Sequence, residues 1–439
     1  MEHGVRRQES SKMPTFQAYR ILRGTAFVVL GLLPLAASAA TLHVPADYPA
    51  IQDAIEHAEF GDTVLVEPGT YQENLFLKDG LIVKSVAGPD ETIITYGGPS
   101  KNEAVVLAQS CSNSTQLIGF TVTGADLAKR GILLNAETEI VIQHVKVTAC
   151  TYGIAIHGRS NPFLHWCDVS ACTKAALFVQ YATADVKYCT FTGCEAFGVY
   201  ITGTSEALSL KECAFSDNLF VGIQASDAEF SVEGGSVNGN GDTGILAQSS
   251  SVIVTNATIE DNINVGVVFE DAGGVIDGCS IARNSFGVVA SGKSAPSLVR
   301  NTFLDNPSYH LGIEGTATPT IGGDLDSAND FLGEAKFLLQ SSSTEDVVAT
   351  HNYWGKPCVP KKRTSATEGE VATSPWASKD HSRTWDDCAA SRQANAKAKK
   401  AAEAAAAKEA AENAPPDSTV GAASVDGAGA APGTETADG

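Results

Sequence analysis

The chain has 439 residues and a formal net charge of −21. No cluster of Lys and Arg lies in its central part, which excludes a nucleic-acid backbone as partner, because such binding needs cations to replace counterions. Charged residues make up only 18% of the chain and Gly numbers 41; with a surplus of Val, Ile, Thr, Ser and Asn, this suits strands joined by turns rather than helical bundles.

Residues 1–40 read as an export signal. Arg20 and Arg23 precede the apolar run Thr25 to Leu35, and the small residues Ala36 to Ala40 follow, the pattern of a cleavable secretory leader. The run is too short and too broken by Gly and Pro for a lasting span, so no integral membrane domain is expected after cleavage. The expected location is exported: periplasmic, cell-surface or extracellular.

After the leader, Ile51, Ala54, Ile55 and Ala58 recur at helical spacing, with Pro49 suited to the first turn and Gly61 to the C-cap. This predicts a short helix that lids the first coil of a solenoid. Thr63 to Val66 and Leu81 to Val83 read as strands of irregular opening coils, separated by a turn at Pro68-Gly69-Thr70.

From about residue 131 the chain repeats with a period near 22: Gly131, Gly153, Gly198, Gly222, Gly244, Gly266 and Gly287 each open a short apolar run, with Ala175-Ala176-Leu177 filling the one gap. Two apolar columns keep the same register, Val147, Val169, Phe191, Phe215, Val237, Ile259, Ile281 and Phe303, and Ile142, Leu164, Val186, Leu210, Val232, Val254, Ile276 and Leu298. A third column runs Cys150, Cys172, Cys194, then Asn218, Asn240, Asn262, Asn284 and Asn306; a fourth runs Val145, Cys167, Cys189, Cys213, Gly235, Ala257, Cys279 and Asn301. Short alternating runs separated by polar residues have the period of strands. Coils stacked about 4.8 Å apart would pair each strand with its equivalents above and below and align like residues in one core. The fold class is therefore all-β: a single-stranded right-handed parallel β-helix solenoid with an N-terminal capping helix and an Ala-rich C-terminal tail. Small, weakly polar Cys suits tight inward turns as a free thiol; bridges between adjacent coils are the alternative. Cys358 and Cys388, outside the columns, are better partners for each other.

Beyond Cys388 the composition shifts to Ala with Lys and Glu, helix-prone to about Asn413; Pro415-Pro416 ends it, and a solvated tail follows. The domain boundaries read as 1–40 signal peptide, 41–378 β-helix with its caps, and 379–439 tail.

The opening segment, Leu42-His43-Val44-Pro45 through Tyr48 to Ile55, Gly61-Asp62-Thr63-Val64 and Pro68 to Asn74, resembles that of bacterial right-handed β-helix proteins of the pectate-lyase-like superfamily. Asn352-Tyr353-Trp354-Gly355 followed by Ser374-Pro375-Trp376 is similar to the closing segment of many of them. The resemblance implies the fold across residues 41–378. Of function it implies only a range, since the superfamily contains lyases, hydrolases, esterases, epimerases, periplasmic metallochaperone-like proteins and non-catalytic binders.

Lyases on this fold need clustered carboxylates beside an Arg or Lys base. The outward residues of the strand after each Gly are Ala155, Phe178, Tyr200, Gln224, Leu246, Val268 and Val289, then His157, Gln180, Thr202, Ser226, Gln248, Glu270 and Ser291; no such cluster appears, nor a pair of acids for glycoside hydrolysis. Gly69-Thr70-Tyr71-Gln72-Glu73 resembles one motif of pectin methylesterases, but the catalytic Asp segments of that family are missing, so the motif reads as structural. One constellation stands out: Gln143-His144, His165-Trp166, Lys187-Tyr188 and Lys211-Glu212 stack on successive coils and point away from the core. Trp166 and Tyr188 form an aromatic platform flanked by the donors His144, His165, Lys187 and Lys211, an arrangement suited to sugar rings. His144 and His165 also stand one coil apart, within reach of a shared Cu(II) or Zn(II), but lack further ligands. The reading is an exported β-helix that contacts a polysaccharide at the cell envelope without catalysis; the alternatives are a polysaccharide lyase or glycoside hydrolase, and a protein-interaction scaffold on the stripe Phe178, Tyr200, Leu246 and Val268.

Overall fold

A computed structural model of the chain describes residues 39–99, 103–203, 206–356, 358–359 and 362–412. Residues 1–38 of the leader and 413–439 of the tail lie outside the described residues. The rest is a parallel β-solenoid of about 15 turns. Each regular coil lays one strand in each of three parallel sheets: sheet I with 15 strands, sheet II with 12 and sheet III with 13. The coil from 141 shows the order, with Val141–Gln143 in sheet I, Lys146–Thr148 in sheet II and Tyr152–His157 in sheet III.

The register follows the columns read from sequence. Val169 pairs with Phe191 and Phe191 with Phe215 in sheet II; Ile142 pairs with Leu164 and Leu164 with Val186 in sheet I. All of these are fully buried. A one-residue slip would turn each apolar column outward, so burial holds the register.

The inward turn columns carry a second set of bonds along the axis. Asn240 donates from Nδ2 to the Asn262 Oδ1 at 2.8 Å, and Asn262 repeats this to Asn284 at 3.0 Å. The same Oδ1 atoms accept the backbone N–H of the preceding Asn, 3.2 Å for Asn240 and 3.0 Å for Asn262, while each Nδ2 also donates to a core-strand carbonyl, Phe215 and Val237 respectively. The ladder ends where Asn306 Nδ2 meets His310 Nδ1 at 3.0 Å. A shorter ladder, Asn301 to Asn329 to Asn352, runs along the other inward turn at 3.1 and 2.9 Å. The repeating Gly makes room for these amides: a Cβ on Gly222 would lie 2.7 Å from the Gly244 carbonyl and 2.8 Å from the Asn240 Nδ2.

At the N-terminal end, helix α1 spans Ile51–His57 and buries Ile51, Ala54 and Ile55. Its ends differ from expectation. Pro49 precedes the N-cap, Ala50, which offers no side-chain bond, and the C-cap is Ala58 rather than Gly61. The orphan N–H groups of Ile51 and Gln52 are instead taken by the two carboxylate oxygens of Glu73, at 2.9 and 2.8 Å. Glu73 belongs to the segment Gly69 to Glu73, so that motif has a structural task here. The turn expected at Pro68-Gly69-Thr70 is also corrected: Gly69–Gln72 is a strand that opens sheet II, paired with Thr92–Thr95.

At the other end, Phe303, Phe331 and Trp354 stack inside the core, with centroids 4.9 and 4.5 Å apart. Cys358 and Cys388 form a disulfide with Cα atoms 5.3 Å apart, and helix α2 runs over Cys388–Glu412. Among the described residues no helix is long and apolar enough to cross a membrane.

Two measurements test this packing. Asn262→Ala leaves the N–H and Nδ2 of Asn240 and the Val237 carbonyl short of partners in a buried site, and is expected to destabilise the domain by roughly 2–4 kcal/mol in chemical denaturation; the exposed Asn264→Ala should change it by no more than about 0.5 kcal/mol. His310, fully buried, has its imidazole pushed down to about 4, first by burial, against the Leu332 carbonyl, which favours the charged form. The unfolded chain takes up this proton below about pH 6.5, whereas the folded chain does so only near 4. Stability is therefore fully present above 6.5 and falls as pH drops from 6.5 through 4; thermal melts of His310→Gln should show a shallower fall across that window.

Candidate functional site

The turn between sheets I and II places a residue of each coil in the left-handed backbone region, with Gly235 a second one beside Gly234. The column runs His144, Trp166, Tyr188, Glu212, Gly234, Asn256, Gly278 and Arg300, with φ between 51° and 68°. Gly and Asn are the natural occupants of such positions; bulky rings are not, and each costs on the order of 1 kcal/mol there. The backbone ladder nevertheless continues through the turn: the N–H groups of His144, Trp166 and Tyr188 donate to the His165, Lys187 and Lys211 carbonyls at 3.2, 3.1 and 3.0 Å.

Three successive rings on this column stack on one another. His144 and Trp166 have centroids 5.2 Å apart and planes 7° from parallel; Trp166 and Tyr188 are 5.6 Å apart at 12°. Trp166 remains 46% exposed and Tyr188 52%, and His165 meets the indole edge-on at 5.7 Å. The expected platform needs correction on one point. Both faces of Trp166 are taken, by His144 and Tyr188, so the solvent sees the ring edges; free faces remain only at the two ends of the stack. His144, read from sequence as a flanking donor, is itself a member of it.

The flanking donors are more engaged than the sequence suggests. Lys187 pairs with Asp185 at 2.6 Å and Lys211 with Glu233 at 2.9 Å. His165 is half-buried and its Nε2 is enclosed without a hydrogen-bond partner; burial, and then the Lys187 charge, lower its pKa, which keeps it neutral near pH 7.

Beside the stack lies a cleft of about 370 Å³ lined by Lys84, Val86, Pro89, Gly119, His144 and Lys146, with Asp168 and Trp166 at its edge. Sequence reasoning missed it because the coils before residue 131 are irregular. The signal was present: Leu117, Ile142 and Leu164 continue one sheet I column, and that register sets Gly119 under His144.

On the outer face of sheet III the alternation read from sequence holds, but its exposure does not. Ala155 is fully buried in a second small cluster with Ala104, Leu107 and Leu133, covered by Tyr152 and Phe178. Phe178, Tyr200, Leu246 and Val268 are half-buried rather than exposed, because neighbouring coils stand side chain against side chain. Glu270 accepts from Gln248 at 2.9 Å.

These features place the chain in a fold class: it is a right-handed parallel β-helix protein. Residues 136–316 match the family model described as periplasmic copper-binding protein (NosD). Among solved structures, the A-module of the Azotobacter vinelandii mannuronan C-5 epimerase AlgE6 is similar with TM-score 0.54 and 19% identity, over 75% of this chain and 94% of that one. The A-module of AlgE4 from the same organism is similar with TM-score 0.53 and 17% identity, over 67% of this chain and 93% of that one. At these identities the likeness shows the fold alone. No curated protein sequence matches the chain.

The residues present do not fit a copper ion. Among the described residues no three His, Cys, Asp or Glu side chains converge on one point. The segment matched holds seven cysteines, all buried. Burial pushes the Cys150 thiol up to about 12 and the Cys279 thiol to about 11, and both donate to backbone carbonyls, those of Thr148 and Asp277; metal capture would need thiolates. His144 lies flat on the indole and His165 edge-on to it, so neither imidazole is backed by a second ligand. Native protein is therefore expected to leave all eight ladder and core thiols unlabelled by a thiol reagent and to release eight on denaturation, with two more only after reduction; mass spectrometry of the labelled chain checks this.

Proposed function

We propose that this is an exported β-helix protein that contacts carbohydrate at the cell envelope through the edge between sheets I and II, without catalysis. The observation that carries the reading is the three-ring stack of His144, Trp166 and Tyr188 on a left-handed backbone column, a conformation that favours Gly or Asn. Three neighbouring positions carry rings at that cost, whereas Gly234, Asn256 and Gly278 fill the same column further on, between Glu212 and Arg300, and a run of rings retained in one stretch points to a use for the side chains there. Ring edges, the free end faces and the amines of Lys187 and Lys211 offer apolar C–H contact and hydroxyl partners together, the combination a sugar polymer needs. His165 supports the indole from the side. The two similar solved proteins are named as mannuronan epimerases, which agrees with carbohydrate chemistry on this scaffold.

The same reading assigns the remaining parts. The leader 1–40 directs export, in keeping with the periplasmic description of the matching family; α1 lids the first coil; and the Ala-rich tail after the disulfide remains solvated.

Binding of the mature protein to a broad polysaccharide array, with product release followed on every hit, tests the proposal. Binding without turnover is expected, and Trp166→Ala should weaken it at least tenfold with the melting temperature held within a few degrees. Turnover would replace the reading by a carbohydrate-active enzyme; unchanged affinity of Trp166→Ala would remove the site.

A further inference from the structure

The ring stack stops at His144 for a structural reason. In the sheet I register Gln143 pairs with Ile118, so the position under His144 is Gly119, whose N–H donates to the Gln143 carbonyl at 3.0 Å just as the ring residues donate to theirs. Gly119 continues the left-handed column with φ 80° but carries no ring. A Cβ there would lie 2.5 Å from the Ser85 hydroxyl, and that hydroxyl donates to the Gly119 carbonyl, so the turn is packed for glycine. The outer face of the imidazole therefore looks into a slot one coil high.

That slot is the 370 Å³ cleft. Its far wall is the segment from Val86, which is 50% exposed, to Pro89, and the Asp90 carboxylate ties this segment to Lys146 at 2.5 Å. The ladder of rings cannot continue past this wall, so the slot ends the stripe. Its interior is apolar on two sides, the imidazole face opposite Val86 and Pro89, with Ile118 beside them. Its rim carries the amines of Lys84 and Lys146 and the carboxylate of Asp168, which accepts from Thr190 Oγ1 at 2.6 Å.

We propose that this cleft is a subsite for a single terminal pyranose residue, neutral in charge, seated where the next ring of the ladder would lie. A pyranose presents C–H groups to the imidazole and to the aliphatic wall, and its equatorial hydroxyls meet donors and an acceptor at the rim. A flat hydrocarbon ring would leave that rim unused, and because Asp90 and Asp168 balance the two amines, the rim holds no net positive charge to draw an acidic sugar. The volume is at the small end of ligand sites and suits one ring rather than several. The assignment rests on the carbohydrate reading of the stack and gives it a direction, with the chain end of the glycan at His144 and its body along Trp166 and Tyr188.

The test uses the full mature protein with 13C-labelled histidine. Methyl pyranosides of glucose, galactose and mannose, and N-acetylglucosamine, are titrated to millimolar concentration while the His144 ring signals, assigned with His144→Gln, are followed. At least one neutral pyranoside is expected to shift His144. Val86→Trp fills the slot from an exposed position outside the stack and should weaken that shift, and the affinity for any oligosaccharide found on the array, at least tenfold; Lys84→Trp, also exposed, serves if the first variant melts early. Unchanged binding in both filled variants, with loss in Trp166→Ala, would overturn the terminal subsite and leave the carbohydrate reading standing. No glycan response in the wild-type protein overturns both. A His144 shift produced by phenylalanine-containing peptides and by no sugar would overturn the sugar assignment in favour of a protein partner.

Discussion

Parallel pairing of each strand with its equivalent one coil away is the constraint that governs every other feature of the molecule. Because the pairing repeats at a nearly constant interval of sequence, every side chain stands on its own counterpart, and a favourable self-contact is multiplied along the axis while an unfavourable one is multiplied too. Sheets I and II answer with columns of Val, Ile, Leu and Phe. The inward turns are harder, since they bring backbone N–H groups into a dry interior where each needs an acceptor.

The two inward turn columns meet this need in two ways. Early coils use Cys, a small weak donor whose thiols reach nearby carbonyls, as Cys167 does to His165 and Ile142. In later coils one column is Asn throughout, whose amide accepts from one coil and donates to another, while the other passes through Gly235, Ala257 and Cys279 before reaching Asn301. An amide ladder binds the coils together more strongly than a thiol ladder, and the strictly repeated glycines beside it reflect the space the amides occupy.

The outward turn column obeys the same stacking rule with a different result. Rings placed on a solvent-facing column find their faces covered by the rings before and after them, so a row of aromatics on a β-helix is an edge-on stripe with two open ends rather than a broad platform. This geometry separates two ways of meeting a sugar, along the edges of the stripe and at the vacant end beside Gly119. Only the second encloses a ring. Neither uses the outer face of sheet III, where apolar side chains are already half-buried against each other.

The sequence alone determined the repeat, the strand columns, the cysteine and asparagine ladders, the pairing of Cys358 with Cys388 and the coil-by-coil alignment of His144, Trp166, Tyr188 and Lys211, because a period near 22 turns distance along the chain into height along the solenoid. It did not determine what lies across a turn. That Glu73 caps α1 from 21 and 22 residues away, that Gly69–Gln72 joins a sheet, that Lys187 and Lys211 are held by carboxylates, that the indole faces are covered, and that Val86 and Pro89 wall a cleft against His144 all depend on irregular opening coils and on side-chain directions. Those are settled only when the stacked coils bring residues of different periods to the same height, which is a property of the packed structure and not of the repeat.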